Sequence, residues 1–350
     1  MNSATPEPSS APFGRTLAPD PQWLAKAAPE EVIDPDRVIV DPHHHFWEIP
    51  GGRYLKREFL ADLTDGHRIV ATVHGECAHN YDDSGPAALR PVGETAFVTA
   101  LAEEFDRDPA VTTRVCEGIV GAADLGLGAA VGEVLDAHVE AGKGRFRGVR
   151  HSATWHADPA AGSSTVPEPH AYDQPGFRAG VRELAERELV LDAWVYYTQL
   201  DDVLRLARKL PDLQICLNHL GGPLGIGPNQ HRHAEVFAEW ARSMRKLARH
   251  PNVSVKAGAL VMRLGVFRYL GGTEPLGSAE LARLWGPWIL ETIDAFGADR
   301  CMFESNFPAD KMALSYRTLW NTFKRIAEGA SEDEKDLLFS GAARRVYRLT

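Results

Sequence analysis

Eight short apolar runs, most of them separated by stretches of helical spacing, restrict this chain of 350 residues more than any other feature. They fall at 37–46, 69–78, 116–125, 146–153, 189–197, 213–220, 253–260 and 301–307, bounded by glycine, proline or polar turn residues. Between them, 93–108, 200–211, 233–250 and 278–297 repeat apolar side chains at i, i+3 and i+4, as an amphipathic helix does. Strands alternating with helices form right-handed βαβ units and a parallel sheet. Eight such units in one chain predict an α/β protein, a single (β/α)8 or TIM barrel spanning 37–350 with its closing helices. An open doubly wound sheet is the alternative. Against it, no G-x-G-x-x-G follows the first run, and polar residues recur at the C-terminal ends of the runs. A closed barrel gathers those ends at one mouth. Pro287 is expected to kink or split the helix at 278–297. Residues 1–36 read as a flexible leader, opening on a Pro-, Ala- and Ser-rich stretch without the basic start and apolar core of a secretory signal.

Charge and composition exclude several classes of partner. The net charge is −10 and lysines and arginines form no run, so neither nucleic acid nor an anionic membrane is expected. No stretch of 18 apolar residues is present, so no helical membrane span is expected. Cys77, Cys116, Cys216 and Cys301 are far apart and lie in predicted strands, which reads as reduced, buried thiols in a cytoplasmic protein. A small-molecule partner is expected instead, the strand-end Arg150 pointing to an acidic one, and a homo-oligomer is open.

The strand ends carry the chemistry. In "VDPHHHF", alternation puts His43 and His45 on one face with Asp41, and His44 on the other. His74 and Glu76 are two apart, as are Glu304 and Asn306. The fourth run ends in Arg150 and His151; the fifth presents Asp192, Trp194 and Tyr196 on one face and Tyr197 on the other. His219 precedes a glycine pair, and Lys256 interrupts an otherwise apolar or small-residue run. Singly, each has an ordinary explanation: a hydrogen-bonded core histidine, a structural arginine, or a lysine that neutralises Glu304 or Glu76. Jointly they do not, because each buried ionisable group costs several kcal/mol, of the order of 3–5, unless paired or used. Such a cluster at a barrel mouth is where an active site belongs.

"VDPHHHFW", "GVRHSA", "NHLGGP", "CMFESNFPADK" and "FSGAARRVYRL" together resemble the amidohydrolase-related (amidohydrolase 2) family, from about Asp41 to the C-terminus. The nearer branch contains sugar-acid lactonases and the 2-pyrone-4,6-dicarboxylate lactonase. By that resemblance His43, His45 and His219 match the family's histidines, and Asn306 stands where members carry an aspartate that is base and metal ligand. Metal-using relatives hold one divalent ion, usually zinc, on such a set, whereas the lactonase branch includes members with no required metal. Two departures weaken the metal reading here. The fifth run has no histidine where metal-using decarboxylases carry one, and neutral Asn306 neither accepts a proton from water nor binds zinc well. His43 and His45, with His219 or Glu76, are then a partial set for one Zn or Mn ion, and a site without metal is the other reading.

The resemblance implies a hydrolase that opens a lactone, or a similar cyclic ester, of a small organic acid. Glu304 is the first choice of base for the attacking water, followed by His219 and Asp310. His43, His45 and Lys256 would stabilise the oxyanion, and Arg150 would clamp a substrate carboxylate. His151 and Glu76 would also face the substrate; Trp47, Trp194 and Tyr197 would line an apolar wall or serve only in packing. Two alternatives remain: a metal-dependent non-oxidative decarboxylase of an unsaturated or aromatic acid, and a barrel that binds a small molecule without turnover. The segments 161–177 and 221–233 are expected to loop over the mouth and select the substrate.

Overall fold

The computed structural model describes residues 19–49, 52–160, 164–261 and 273–350. Its centre is a sheet of eight parallel strands in the order β1-β4-β5-β6-β7-β8-β9-β10, so each strand lies beside its successor. These are β1 (Val38–His44), β4 (Arg68–Gly75), β5 (Arg114–Gly121), β6 (Phe146–Ser152), β7 (Val190–Trp194), β8 (Ile215–Leu217), β9 (Val253–Gly258) and β10 (Cys301–Glu304). Every predicted run thus supplies one strand, shorter than predicted at its C-terminal end. A two-stranded hairpin, β2 (Trp47–Ile49) and β3 (Gly52–Tyr54), follows β1 and was not foreseen, because three-residue strands carry too little periodicity to read.

Strands β1 and β10 close the barrel by an irregular seam. A single bridge joins His44 to Phe307. Around it, the His45 N–H donates to the Phe307 carbonyl at 2.7 Å and the Asn306 N–H to the His43 carbonyl at 2.8 Å. Asp41 completes the join: its Oδ1 accepts the Ser305 N–H at 3.0 Å and its Oδ2 the Tyr316 hydroxyl at 3.0 Å. Asp41 therefore serves the seam, because the register shifts between Asp41 and His44 and breaks the simple alternation with His43.

Among the described residues, eleven α-helices accompany the strands: α1 (Pro21–Leu24), α2 (Lys56–Leu63), α3 (Val92–Asp106), α4 (Val131–Ala141), α5 (Pro175–Glu186), α6 (Leu200–Lys209), α7 (His233–Leu247), α8 (Ser278–Phe296), α9 (Tyr316–Ile326), α10 (Glu332–Asp336) and α11 (Ala342–Tyr347). Pro287 does not split α8, which runs through it. Trp285, Trp288 and Ile289 are buried on either side, and burying three such side chains outweighs the roughly 3 kcal/mol a helical proline costs. Residues 1–18 of the expected leader lie outside the described residues. Its last part is tied down: Glu30 accepts from the Ser278 N–H at 2.6 Å and from Asn321 at 3.0 Å, and Lys324 donates to the carbonyls of Ile33 and Asp34. The segment at 161–177 has residues 161–163 outside the described set and ends in a short turn, Ala171–Asp173, leading into α5.

Between α4 and the barrel, His138 Nε2–H donates to the Ala122 carbonyl at 2.9 Å while Nδ1 accepts from Thr95 at 2.8 Å. Burial lowers its pKa to about 4. An unfolded histidine titrates near ~6.5, so the stability tied to His138 is complete above that pH and is lost as pH falls through the folded value. His138→Gln is expected to flatten the stability-against-pH curve between these values by about 1.4 kcal/mol per pH unit, measured by urea denaturation at a series of pH values.

Candidate active site

The C-terminal ends of β1, β8, β9 and β10 meet around His43, His45, His219, Lys256 and Glu304, all buried. Small residues make the room. A Cβ on Gly75 would stand 3.1 Å from His43 Nε2, and one on Gly258 would stand 2.6 Å from Glu304 Cγ. Glycine at these two strand ends is the sequence signal of the site that went unread. His219 and Asn306 both adopt left-handed backbone conformations, at φ +56 and φ +53. For histidine this is uncommon, and such positions concentrate at functional sites.

Glu304 and His219 form one unit. Glu304 Oε1 lies 2.8 Å from His219 Nδ1 and accepts the His219 backbone N–H at 3.2 Å. Burial first of all, with the charges of Asp310, Asp192 and Asp41 adding, raises the Glu304 pKa to about 8, against the opposing pull of Lys256. His43 and His45 form a second unit, their Nε2 atoms 3.2 Å apart. His45 Nδ1–H donates to the Gly75 carbonyl at 2.8 Å, so its Nε2 holds the lone pair. Burial, then Arg150 and His74, lower the His45 pKa to about 3, and burial with Lys256 lowers that of His43. Asn306 turns Oδ1 to His45 Nε2 at 3.3 Å because its amide donates to Asp310 Oδ1 at 2.8 Å. Both of these facing atoms are acceptors.

The remaining predicted residues divide. Arg150 points to the site, its NH1 donating to the Glu76 carbonyl at 3.0 Å and lying 3.6 Å from the Glu76 carboxylate. Burial raises the Glu76 pKa to about 7 despite that guanidinium. Trp47 stacks on His45 with centroids 5.7 Å apart, and Trp194 sets its edge against His219 at 4.9 Å. Three expectations need correction. Lys256 has no exposed surface; its ammonium pairs with Asp192 at 2.6 Å and faces His43 Nδ1 at 3.0 Å, so it acts on the expected Glu304 only through its charge and does not pair with it or with Glu76. His151 points outward and packs on Phe177 and Tyr172, since its neighbour Arg150 takes the inward face. Tyr197 lies beyond the end of β7, in a short turn where alternation no longer applies, and is influenced by Glu239 and Arg232 beside α7. His74 likewise turns out of the barrel to Glu94, 3.3 Å away, because β4 ends at Gly75, before Glu76.

A cluster of buried acids and histidines at the mouth of a (β/α)8 barrel marks an enzyme active site. The comparisons agree: the amidohydrolase family model, Amidohydro_2, matches residues 40–349, and the chain belongs to that family. It is similar to an uncharacterized protein, y4mH, of Sinorhizobium fredii, 34% identical over 336 residues that cover 90% of this chain and 99% of the relative. It is also similar to the L-fucono-1,5-lactonase of Burkholderia multivorans, 27% identical over 324 residues, 89% of this chain and 96% of the lactonase. Among solved structures, a zinc-bound amidohydrolase from Burkholderia multivorans matches with a TM-score of 0.69 and 25% identity, over 89% of this chain and 100% of that one.

Family members usually bind a divalent metal, and here the grouped donors are His43, His219 and Glu304, within 4.8 Å of one another. Neither Glu76 nor His45 belongs to that group. As arranged the group does not fit an ion: Glu304 Oε1 and His219 Nδ1 hydrogen-bond each other, and His43 Nδ1 is met by the Lys256 ammonium. The alternative face, His43 Nε2, His45 Nε2 and Asn306 Oδ1, supplies only a neutral amide where a charged oxygen ligand is wanted.

Asp192 holds this centre from below, pairing with Lys256 where neither side chain is exposed. Asp192→Ala leaves an uncompensated buried ammonium and is expected to destabilise the fold by about 3–5 kcal/mol, whereas Asp201→Ala, at an exposed pair with Lys246, should change it by less than about 1 kcal/mol. Chemical denaturation of the two variants measures both.

Proposed function

We propose that this amidohydrolase opens the ring of a carboxylate-bearing lactone with a water activated by His219. The pairing of His219 with buried Glu304 carries this reading. Glu304 Oε1 already accepts the His219 backbone N–H, so the ring presents Nδ1–H to the same oxygen and keeps its lone pair on Nε2. Once ionised, above its pKa of about 8, Glu304 at Nδ1 also stabilises the imidazolium that forms when Nε2 takes a proton. His45 has the same tautomer but only a neutral carbonyl at Nδ1, which makes it the weaker base. Glu304, the first choice from sequence, becomes the residue that orients the base.

Asn306 Oδ1, held as an acceptor by its amide's bond to Asp310, takes one hydrogen of the attacking water. His219 removes the water's proton as its oxygen bonds to the lactone carbonyl carbon. His43 Nε2–H stabilises the oxyanion. Collapse of the tetrahedral intermediate breaks the acyl–oxygen bond, and the His219 imidazolium returns its proton to the departing ring oxygen. Arg150, whose Nε has no hydrogen-bond partner although buried, suits the substrate carboxylate. Trp47 and Trp194 flank the histidines as flat walls for the lactone ring. The similarity to an L-fucono-1,5-lactonase supports the reaction class.

A panel of sugar-acid and unsaturated lactones, with and without a free carboxylate, tests the proposal. Ring opening is expected, and His219→Asn should lower kcat by about 10²–10⁴. Arg150→Met should raise KM for carboxylated lactones and spare uncharged ones. Release of carbon dioxide from an aromatic acid, or tight binding of the panel without turnover, would replace this reading with a decarboxylase or a binding protein.

A further inference from the structure

We propose that Lys256 is a positioning residue that fixes His43 as the tautomer with its proton on Nε2, and so disfavours a divalent ion between His43 and His45. Its catalytic consequence, His43 as oxyanion donor, rests on the lactonase reading; the tautomer itself does not.

The argument runs through hydrogen-bond polarity. The Tyr347 hydroxyl donates to Asp192 Oδ1 at 2.7 Å, and Asn218 Nδ2 donates to Asp192 Oδ2 at 3.1 Å. Thus anchored, Asp192 receives the Lys256 ammonium on Oδ2 at 2.6 Å, and the Tyr347 ring lies 5.1 Å from the same nitrogen. An ammonium is a donor on every side and has no lone pair. At 3.0 Å from His43 Nδ1 it therefore requires a lone pair there, and the ring proton must sit on Nε2. A second observation agrees: Glu304 Oε2 stands 3.4 Å from the same Nδ1 and yet has no hydrogen-bond partner, as expected if Nδ1 carries no proton.

The polarity continues outward as far as His45. His43 Nε2–H meets the lone pair of His45 Nε2 at 3.2 Å, and His45 Nδ1–H ends on the Gly75 carbonyl. Each donor from Tyr347 to His45 faces an acceptor. A metal ion between the histidines needs lone pairs on both Nε2 atoms. His43 would then carry its proton on Nδ1, head-on against the ammonium. Ligating histidines elsewhere donate that second N–H to a carboxylate or carbonyl; here a cation occupies the place of the acceptor. Lys256 is thus set against the ion that the family's histidine pair otherwise invites.

Two measurements test this without recourse to activity. In protein labelled with 15N-histidine, long-range 1H–15N correlation, assigned with His43→Gln, is expected to show His43 protonated at Nε2 and bare at Nδ1. Calorimetric titration with zinc chloride is expected to show weak binding by the unaltered chain and binding tighter by about 10- to 100-fold in Lys256→Met, the range over which neighbouring groups tune metal affinity. Tyr347→Phe, which loosens Asp192 and leaves the buried pair intact, serves if Lys256→Met does not fold, and should show the same change to a smaller degree. A His43 proton on Nδ1, or zinc affinity indifferent to both substitutions, would overturn the proposal. Absence of lactone turnover would leave these readouts untouched, so the two readings fail separately.

Discussion

The seam between β1 and β10 is the join on which the mouth of this barrel depends. Elsewhere the strands pair by parallel ladders, some with a register shift, but here one carboxylate and a few isolated bonds do the work. Asp41 is wholly buried, and its pKa is lifted to about 6 by that burial although Ser305, His43 and Tyr316 all donate to it. The same few residues that close the barrel carry His43, His45 and Asn306. Closure and placement of the site are one event, since the Asn306 N–H is bonded to the His43 carbonyl itself.

Exclusion of water decides how the charges behave. His43, Lys256, Asp192 and Glu304 have no exposed surface, so their interactions are far stronger than the same contacts would be in solvent. The cost of burying them is offset only because they are paired in an alternating order of acid and base. That order also separates the tasks. His219 leans on a carboxylate and is suited to take a proton; His43 leans on an ammonium and is suited to give one.

The architecture was legible in the sequence because eight apolar runs alternating with helical spacing leave few solutions, and each run became a strand. The gathering of His43, His45, Arg150, His219, Glu304 and Asn306 was legible for a related reason, since all sit at or just beyond strand ends. What failed were orientations after the strand stopped. Two-residue alternation places Glu76, Tyr197 and Asp41 correctly only where the pleat persists, and turns or a register shift interrupt it at each. The partner of Lys256 was illegible for another reason. Pairing with Asp192 depends on which neighbouring strands face each other across the barrel, and Tyr347 reaches that pair from a helix far along the chain.

That last contact bears on how the molecule is made. Tyr347 follows Asp192 by 155 residues, yet its hydroxyl anchors that aspartate under the histidines. Domains generally fold as units while the chain emerges from the ribosome, amino end first. Here β1 is synthesised early, waits for β10 to complete its seam, and the charged centre then waits for α11. Until α11 has docked, Asp192 lacks the hydroxyl that anchors it, so the charged centre is completed only when this late-synthesised helix packs against the barrel.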